Sequence, residues 1–559
     1  MTDCDAVIVG SGPAGATTAE VLTAAGWSVI VLEKGRNHLL ELGSPFGPLG
    51  HVSNDEIKLL RRHFLGPDPW LEPRTFRRTE DDGERIFTGD VNNLPSTVGG
   101  GGFHADGKLP RFREVDFRLA SELGPVEGAD VVDWPLDYDE LEPCYAEAER
   151  IVGVAGDHTA NPFAAWRSGP YPMPPGPDMF CAVLTSEAAT TVGYHPYRAP
   201  TGVNSVEYDG RPACNNCGFC GYFGCPIEAK GDPVAPLRHA LRTGSCEIRP
   251  ECYVTDVLLD GAGRRARGVR YLDAGATARE VSARHVILGA GAFETPRLLL
   301  RSGIGNPDVV GRYLMYHFQT FALGIFPFRL HAHRGRSVTH LMDDPIVGDD
   351  EADAAARDAG LPWMRGGIVE HGGASHPITE AIHLPAGPEH TRLILASPMR
   401  DRMAAFTMQG EDLPQATNRV DLDPQITDVW GMPAGRVTYQ PHAHEEVCGR
   451  HWAPRLEAVM REAGARHTFW ATSPPLPEHL ARRPGMNPSP ISRHVMGTAR
   501  MGDDPRTSVC DRWQRLHDIE NVVVTDSSVF PTSTGYGPTL TIVALAIRAA
   551  RALAGLDPL

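Results

Sequence analysis

Apolar and polar positions divide the chain into a sharply patterned start and a loosely patterned remainder. Asp5-Ala6-Val7-Ile8-Val9 is a short apolar run, which predicts a strand covered on both faces. Gly10-Ser11-Gly12-Pro13-Ala14-Gly15 follows as a turn, and an Ala-rich stretch predicts a helix to about Ala25, broken by Gly26. Ser28-Val29-Ile30-Val31-Leu32-Glu33 reads as the next strand, so residues 5–35 form a βαβ unit. From about 40 to 95, Pro, Gly and charged residues interrupt every period, as in Pro67-Asp68-Pro69-Trp70. Loops and short helices, acting as a lid, are expected there. Val254 to Leu259 and Ala266 to Leu272 read as strands around Asp260-Gly261-Ala262-Gly263, a hairpin signal. Residues 318–490 mix alternating and helical periods without a sharp motif, and no internal repeat is visible.

Composition narrows the class. The chain has 559 residues, 42% apolar and 22% charged, as in a soluble globular protein of several domains or two large interleaved ones. The net charge of −17 disfavours general nucleic-acid binding and admits a cationic substrate. No apolar run reaches the ~18 residues of a membrane helix. Met1-Thr2-Asp3-Cys4-Asp5 has no basic region or apolar stretch of a secretory signal, so a cytoplasmic location is expected.

The first turn carries chemistry. Gly10 permits the tight turn, Gly12 lets backbone approach a pyrophosphate, and Gly15 allows close helix–strand packing. The following helix N-terminus supplies amide donors and partial positive charge. Glu33 ends the next strand, where its carboxylate can accept from a ribose hydroxyl. A bound dinucleotide follows, although this turn does not separate FAD from NAD.

Further segments resemble the glucose–methanol–choline (GMC) family of flavoprotein oxidoreductases. They are Thr97-Val98-Gly99-Gly100-Gly101-Gly102-Phe103-His104, Gly291 to Gly305, Val310-Gly311-Arg312-Tyr313-Leu314-Met315-Tyr316-His317, and His494 to Gly502 continuing through Asn521 to Ile547. The resemblance spans nearly the whole chain in the family's order. It implies an α/β fold: a FAD-binding Rossmann-like domain of GMC type plus an α+β substrate domain with a mainly antiparallel sheet. The FAD domain would be discontinuous, over 1–45, 90–115, 200–317 and 490–559, with 46–89, 116–199 and 318–489 forming the substrate domain and lid segments.

Several roles are implied by the resemblance alone. Val98, Gly99 and Gly100 match the loop beside the flavin ring, and His104 matches a histidine that some relatives bond covalently to flavin and others do not. Val254 matches an adenine contact through backbone, and Asp526 an acid near the ribityl chain. Each also has a plain reading, as a strand residue and a helix cap. Pro538 and Thr539 match residues beside the pyrimidine end.

Alcohol oxidation by flavin needs a base for the hydroxyl proton and N5 as hydride acceptor. Histidine suits the first task unperturbed, and His494 heads a stretch resembling the family's His-x-x-Gly-Thr motif. Where the family usually places His or Asn before the later Pro-Thr, this chain has Gly537. Either His494 acts alone, or another group fills the space, with Tyr536 nearest in sequence, or the substrate brings its own polar atom.

Cys214, Cys217, Cys220 and Cys225 show C-x2-C-x2-C-x4-C spacing, one residue longer than a ferredoxin run. Membrane-associated sugar dehydrogenases of the family carry a Cys-rich segment, with different spacing, that binds a three-iron cluster, whereas many soluble relatives keep similar cysteines with no cluster implied. An iron–sulfur cluster, structural zinc and plain thiols therefore stand side by side as readings. The expected activity is oxidation of a primary or secondary hydroxyl of a polar, sugar-like alcohol, amino sugars of aminoglycoside type included. Oxygen or an electron carrier would take the electrons. A non-redox GMC-type lyase and a flavin-containing electron-transfer or scaffold subunit are the alternatives.

Overall fold

The computed structural model describes residues 2–37, 68–91, 94–218, 220–221, 224–373, 387–397, 399–472, 489–557 and 559. Residues 38–67 of the expected lid, 374–386 and 473–488 of the middle region, and Phe219, Tyr222 and Phe223 of the cysteine-rich loop lie outside the described residues.

Strand β1 (Cys4–Val9), helix α1 (Pro13–Ala24) and strand β2 (Val29–Leu32) realise the βαβ start. Next come β3 (Arg74–Arg77), β4 (Phe87–Gly89), helix α2 (Gly100–His104) and β5 (Pro196–Arg198). Strands β6 (Cys246–Arg249), β7 (Tyr253–Leu259), β8 (Ala266–Leu272) and β9 (Ala278–Leu288) lead into helix α3 (Gly291–Ser302). They are followed by β10 (Phe318–Ile325), β11 (Val338–Met342), β12 (Gly367–Gly373), β13 (Met403–Gly410), β14 (Arg419–Thr427) and β15 (Pro433–Thr438). Helix α4 (Ala443–Glu462), β16 (His467–Thr472), β17 (Val522–Val524) and helix α5 (Thr539–Leu553) follow.

The first sheet runs β6-β2-β1-β9 in parallel, with β17 also parallel to β9. The hairpin β7–β8 extends it by antiparallel pairing of β8 with β9. Ala6, Val7 and Ile8 expose no surface, which is why β1 reads as unbroken apolar rather than alternating. Ala6 and Ile8 share a core with Ala16, Ala19 and Leu22 of α1, whereas Val7 and Val9 join the core on the opposite face. Burying each of the larger aliphatic side chains contributes about 1.5–3 kcal/mol.

The second sheet, β16-β10-β13-β12-β11-β5, is antiparallel at every pair. Burial along β10 alternates strictly, so Gln319, Phe321 and Leu323 face one side and Phe318, Thr320 and Ala322 the other. Helix α4 covers the second side at Gly449, where an added Cβ would stand 2.9 Å from the Phe318 ring.

The third sheet corrects an expectation. Residues 74–77 and 87–89 are strands, not loops or short helices, in a sheet ordered β14-β15-β3-β4. Thr75 pairs with Arg436 of β15, a partner so distant in sequence that no local period announces it.

Candidate active site

A cavity of about 710 Å³ opens beyond the C-terminal ends of β1 and β2 and reaches the alternating face of the second sheet. Gly10, Gly12, Pro13, Ala14 and Glu33 line one end, and Gln319, Phe321, Glu370, Thr407 and Gln409 the other. This is where an open α/β sheet binds ligands.

The geometry of the first turn suits a dinucleotide. Gly10 has φ +93°, and a Cβ there would lie 2.5 Å from the Gly289 carbonyl oxygen. A Cβ on Gly15 would lie 2.0 Å from the Gly10 oxygen, so α1 packs against the end of β1 only because residue 15 has no side chain. At Gly12 a Cβ would meet nothing within 4 Å. Gly12 is also the N-cap of α1 and makes no side-chain cap, which leaves the helix amides to a ligand. Glu33 Oε2 accepts from the Ser11 amide (3.0 Å) and hydroxyl (2.7 Å), and Oε1 accepts from the Gly35 amide (2.8 Å). Ser11 therefore steadies Glu33 from behind instead of lining the cavity.

The other expected contacts divide. Val98 is fully buried in the core of the first sheet, and the Gly99 amide donates to Ser11 Oγ (2.9 Å). Gly100 to Gly102 and His104 line the cavity instead. Val254, Pro538 and Thr539 line it too, the last two at the uncapped N-terminus of α5. Asp526 also borders it, yet its oxygens accept from Gly291 N, Thr295 Oγ1, Ser528 N and Ser528 Oγ. It caps α3 and the turn after β17, the plain reading of that residue.

His494 meets a partner that no motif reading supplied. Met315 and Met496 exchange both backbone hydrogen bonds (3.0 and 2.9 Å) as an antiparallel bridge, which places His317 opposite His494. Their Nδ1 atoms are 2.8 Å apart with the rings perpendicular, and His317 Nε2 lies 3.3 Å from the Ser533 carbonyl oxygen. A carbonyl only accepts, so His317 Nε2 carries the hydrogen. Burial pushes His317 down to about 4, so it is neutral and accepts at Nδ1. His494 Nδ1 then donates, and the His494 lone pair stands on Nε2. Burial, then His317 and the Lys108 ammonium, hold His494 well below the usual histidine range, so it too is neutral. His317 ends one of the quoted segments, but only the tertiary register reveals its role.

A polar row crosses the second sheet beside this pair. Gln319 stands opposite Gln409, and Glu370 opposite Thr407. Gln319 Nε2 donates to Gln409 Oε1 (3.0 Å), and Gln409 Nε2 donates to Glu370 Oε1 (3.1 Å). Lys108 Nζ lies 2.5 Å from Glu370 Oε1 and 3.4 Å from Asp106 Oδ2. Burial works against the Lys108 charge, but Glu370 and Asp106 outweigh it and raise the ammonium above its ordinary value. These residues carry no motif; the period-2 alternation of β10 is the only signal that could have found Gln319.

One expectation needs correction. Tyr536 is buried outside the cavity, and its hydroxyl donates to Asp343 Oδ2 (2.9 Å). It cannot be the missing partner of the substrate hydroxyl. Cys214, Cys220 and Cys225 are partly buried thiols and Cys217 is exposed. Burial raises Cys214 and pushes Cys220 up to about 12. Among the described residues no group of three or more His, Cys, Asp or Glu could hold a metal ion. Among them, too, no helix is long and apolar enough to cross a membrane.

Comparison with known proteins agrees with this geometry. Models described as GMC oxidoreductase match residues 186–319 and 414–546, and a FAD binding domain model matches 3–41. The 2-methyl-1,2-propanediol dehydrogenase of Mycolicibacterium austroafricanum is 30% identical over 98% of this chain and 94% of its own. The gluconate 2-dehydrogenase flavoprotein of Pantoea cypripedii is 29% identical over 98% and 93%. Paromamine 6'-oxidase of Streptomyces fradiae is 30% identical over 99% and 91%. A solved formate oxidase superposes with TM-score 0.66 at 17% identity over 98% of both chains, a likeness of fold. FAD fits the uncapped amides of α1, the open space at Gly12 and the Glu33 carboxylate. Relatives similar over nearly their whole length, and a cavity built to take that cofactor, place the chain in the GMC oxidoreductase family as a FAD-dependent enzyme acting on CH–OH donors.

Proposed function

We propose that this enzyme oxidises a primary or secondary hydroxyl of a polar, polyhydroxylated alcohol to the carbonyl, with His494 as the base. The observation that carries the reading is the His494 Nδ1 to His317 Nδ1 bond of 2.8 Å, which commits Nε2 to the proton-accepting role. FAD, when bound, supplies the hydride acceptor. The chain's own residues do the rest. His494 Nε2 takes the hydroxyl proton, and His317 shares the charge of the resulting imidazolium through Nδ1. Gln319, Gln409 and Glu370 orient neighbouring hydroxyls, while Phe321 and Leu323 keep that wall dry. Glu33 is assigned to the ribose and His104 to a flavin contact. The segments 1–45, 90–115, 200–317 and 490–559 are assigned to FAD, and 46–89, 116–199 and 318–489 to the substrate side.

Names of the relatives supply a test panel: 2-methyl-1,2-propanediol, gluconate and paromamine. Anaerobic mixing with the right alcohol should bleach the flavin. His494→Ala should slow that bleaching by ~100-fold or more, as loss of a general base does. Near-normal bleaching in the variant would remove His494 from the mechanism. A lyase would turn substrate over with its flavin unbleached, so the same spectrum separates the two activities.

A further inference from the structure

The side chain absent at Gly537 leaves a question that the cavity itself answers. A Cβ built on Gly537 makes no close contact; its nearest heavy atom is the backbone oxygen of Lys108, 4.0 Å away. The backbone of residue 108 therefore borders the empty slot, and Lys108 lines the same cavity as His494. The ammonium is not free to swing out. Glu370 holds it at 2.5 Å and Asp106 at 3.4 Å, and Glu370 is itself braced by Gln409 at 3.1 Å.

We propose that Lys108 is a catalytic residue: its ammonium is the second polar partner of the substrate hydroxyl, doing from residue 108 what a side chain at 537 would otherwise do. The inference rests on the alcohol-oxidation reading above. The substrate O–H bond breaks with its proton going to His494 Nε2. The C–H bond breaks with hydrogen and electron pair leaving together for the flavin, which is reduced as the alcohol is oxidised. Lys108 exchanges no proton. It donates a charge-assisted hydrogen bond to the oxygen while that oxygen carries negative charge, and it is already positioned before the reaction begins. The same positive charge helps keep His494 in its neutral, proton-accepting form. Among the described residues, the titratable groups that act on His494 are His317 and Lys108, with Glu370 and Asp106 behind the lysine.

A plainer role for Lys108 is to neutralise Glu370, and the experiment separates the two. Stopped-flow reduction of the FAD holoenzyme is measured with the best alcohol of the panel in the wild type, Lys108→Met, Gly537→Asn and the double variant. Loss of an oxyanion donor predicts that Lys108→Met slows reduction about 100-fold with flavin still bound. Its pH profile should shift upward, because a positive charge near His494 is gone. In the double variant the introduced asparagine should restore at least ~10-fold, since its amide supplies a donor at the slot. An asparagine donor acting independently of Lys108 would raise the rate equally in both backgrounds, so a rescue larger than the effect of Gly537→Asn in the wild type excludes the plainer role.

Should Lys108→Met fail to fold, Gly537→Asn alone decides. The site has room for the side chain and needs no positive φ. With Lys108 already in the role, the added amide raises the rate less than ~3-fold; if the lysine is idle, it raises the rate ~10-fold or more. Wild-type rates in Lys108→Met, or no recovery in the double variant, would overturn the inference and leave the alcohol reading standing. A wild-type flavin unbleached by every alcohol of the panel would overturn both.

Discussion

Two histidines and one carbonyl decide which nitrogen of His494 is basic. The chain runs from the Ser533 oxygen through His317 to His494, and its direction is set by the one group that only accepts. Replacing His317 by Asn keeps an acceptor near the Nδ1 position, whereas Leu removes it. His317→Leu should therefore lose flavin reduction by ~100-fold or more, with His317→Asn recovering ~10-fold of that, as expected when the wrong tautomer is favoured. Equal losses in both would show that packing, not the proton, is what His317 supplies. The same residues set the pH response. In the proposed mechanism His494 acts when neutral, and burial, His317 and Lys108 all lower its protonation point. Flavin reduction should hold level as pH falls through the ordinary histidine value of about 6.5 and decline only below it; a rate that halves near 6.5 would contradict this.

At the scale of elements, the meeting of β1 and α1 is the tightest joint. Gly15→Ala would force a Cβ to 2.0 Å from the Gly10 oxygen, so the turn must open. That should cost about 1–3 kcal/mol or more and lower FAD retention, read by flavin content after gel filtration; full occupancy would contradict the packing account. The cysteine-rich loop is an element whose chemistry spacing alone did not settle. With no metal-holding donor group among the described residues, the purified holoenzyme should show flavin bands without stoichiometric iron or acid-labile sulfide. Stoichiometric iron would reverse that conclusion. Strands β3 and β4 teach the complementary lesson. β3 pairs with the distant β15 and β4 is held only through β3, so Pro- and charge-broken sequence looked like loop.

Across the whole molecule, the cavity is the seam between the first and second sheets. FAD held at the Gly12 and Glu33 end of this cavity would stabilise the fold as a ligand of the native state only. At a hundred times its Kd the gain is about 2.7 kcal/mol, which thermal melting of apoprotein with and without added FAD would register as a higher Tm. An unchanged Tm at saturating FAD would contradict binding of the cofactor to the native state.

The sequence by itself determined the parts that repeat a local physical demand. A buried parallel strand must be apolar throughout, a turn approached by phosphate must lack side chains, and a hairpin needs residues that tolerate its bend. Those rules made β1, the glycine turn and the β7–β8 hairpin legible, while the roles proposed for Glu33 and His494 came from motif position and family resemblance. The tertiary structure alone decided the rest of the site. His317 faces His494 because two distant segments bridge at Met315 and Met496, and Lys108 meets Glu370 because α2 leads its loop to the face of β12. It also turned Tyr536 toward Asp343 and away from the chemistry. Such contacts join residues separated by hundreds of positions, and neither period nor composition encodes which of many polar side chains will meet. Only the register of the folded sheets selects them.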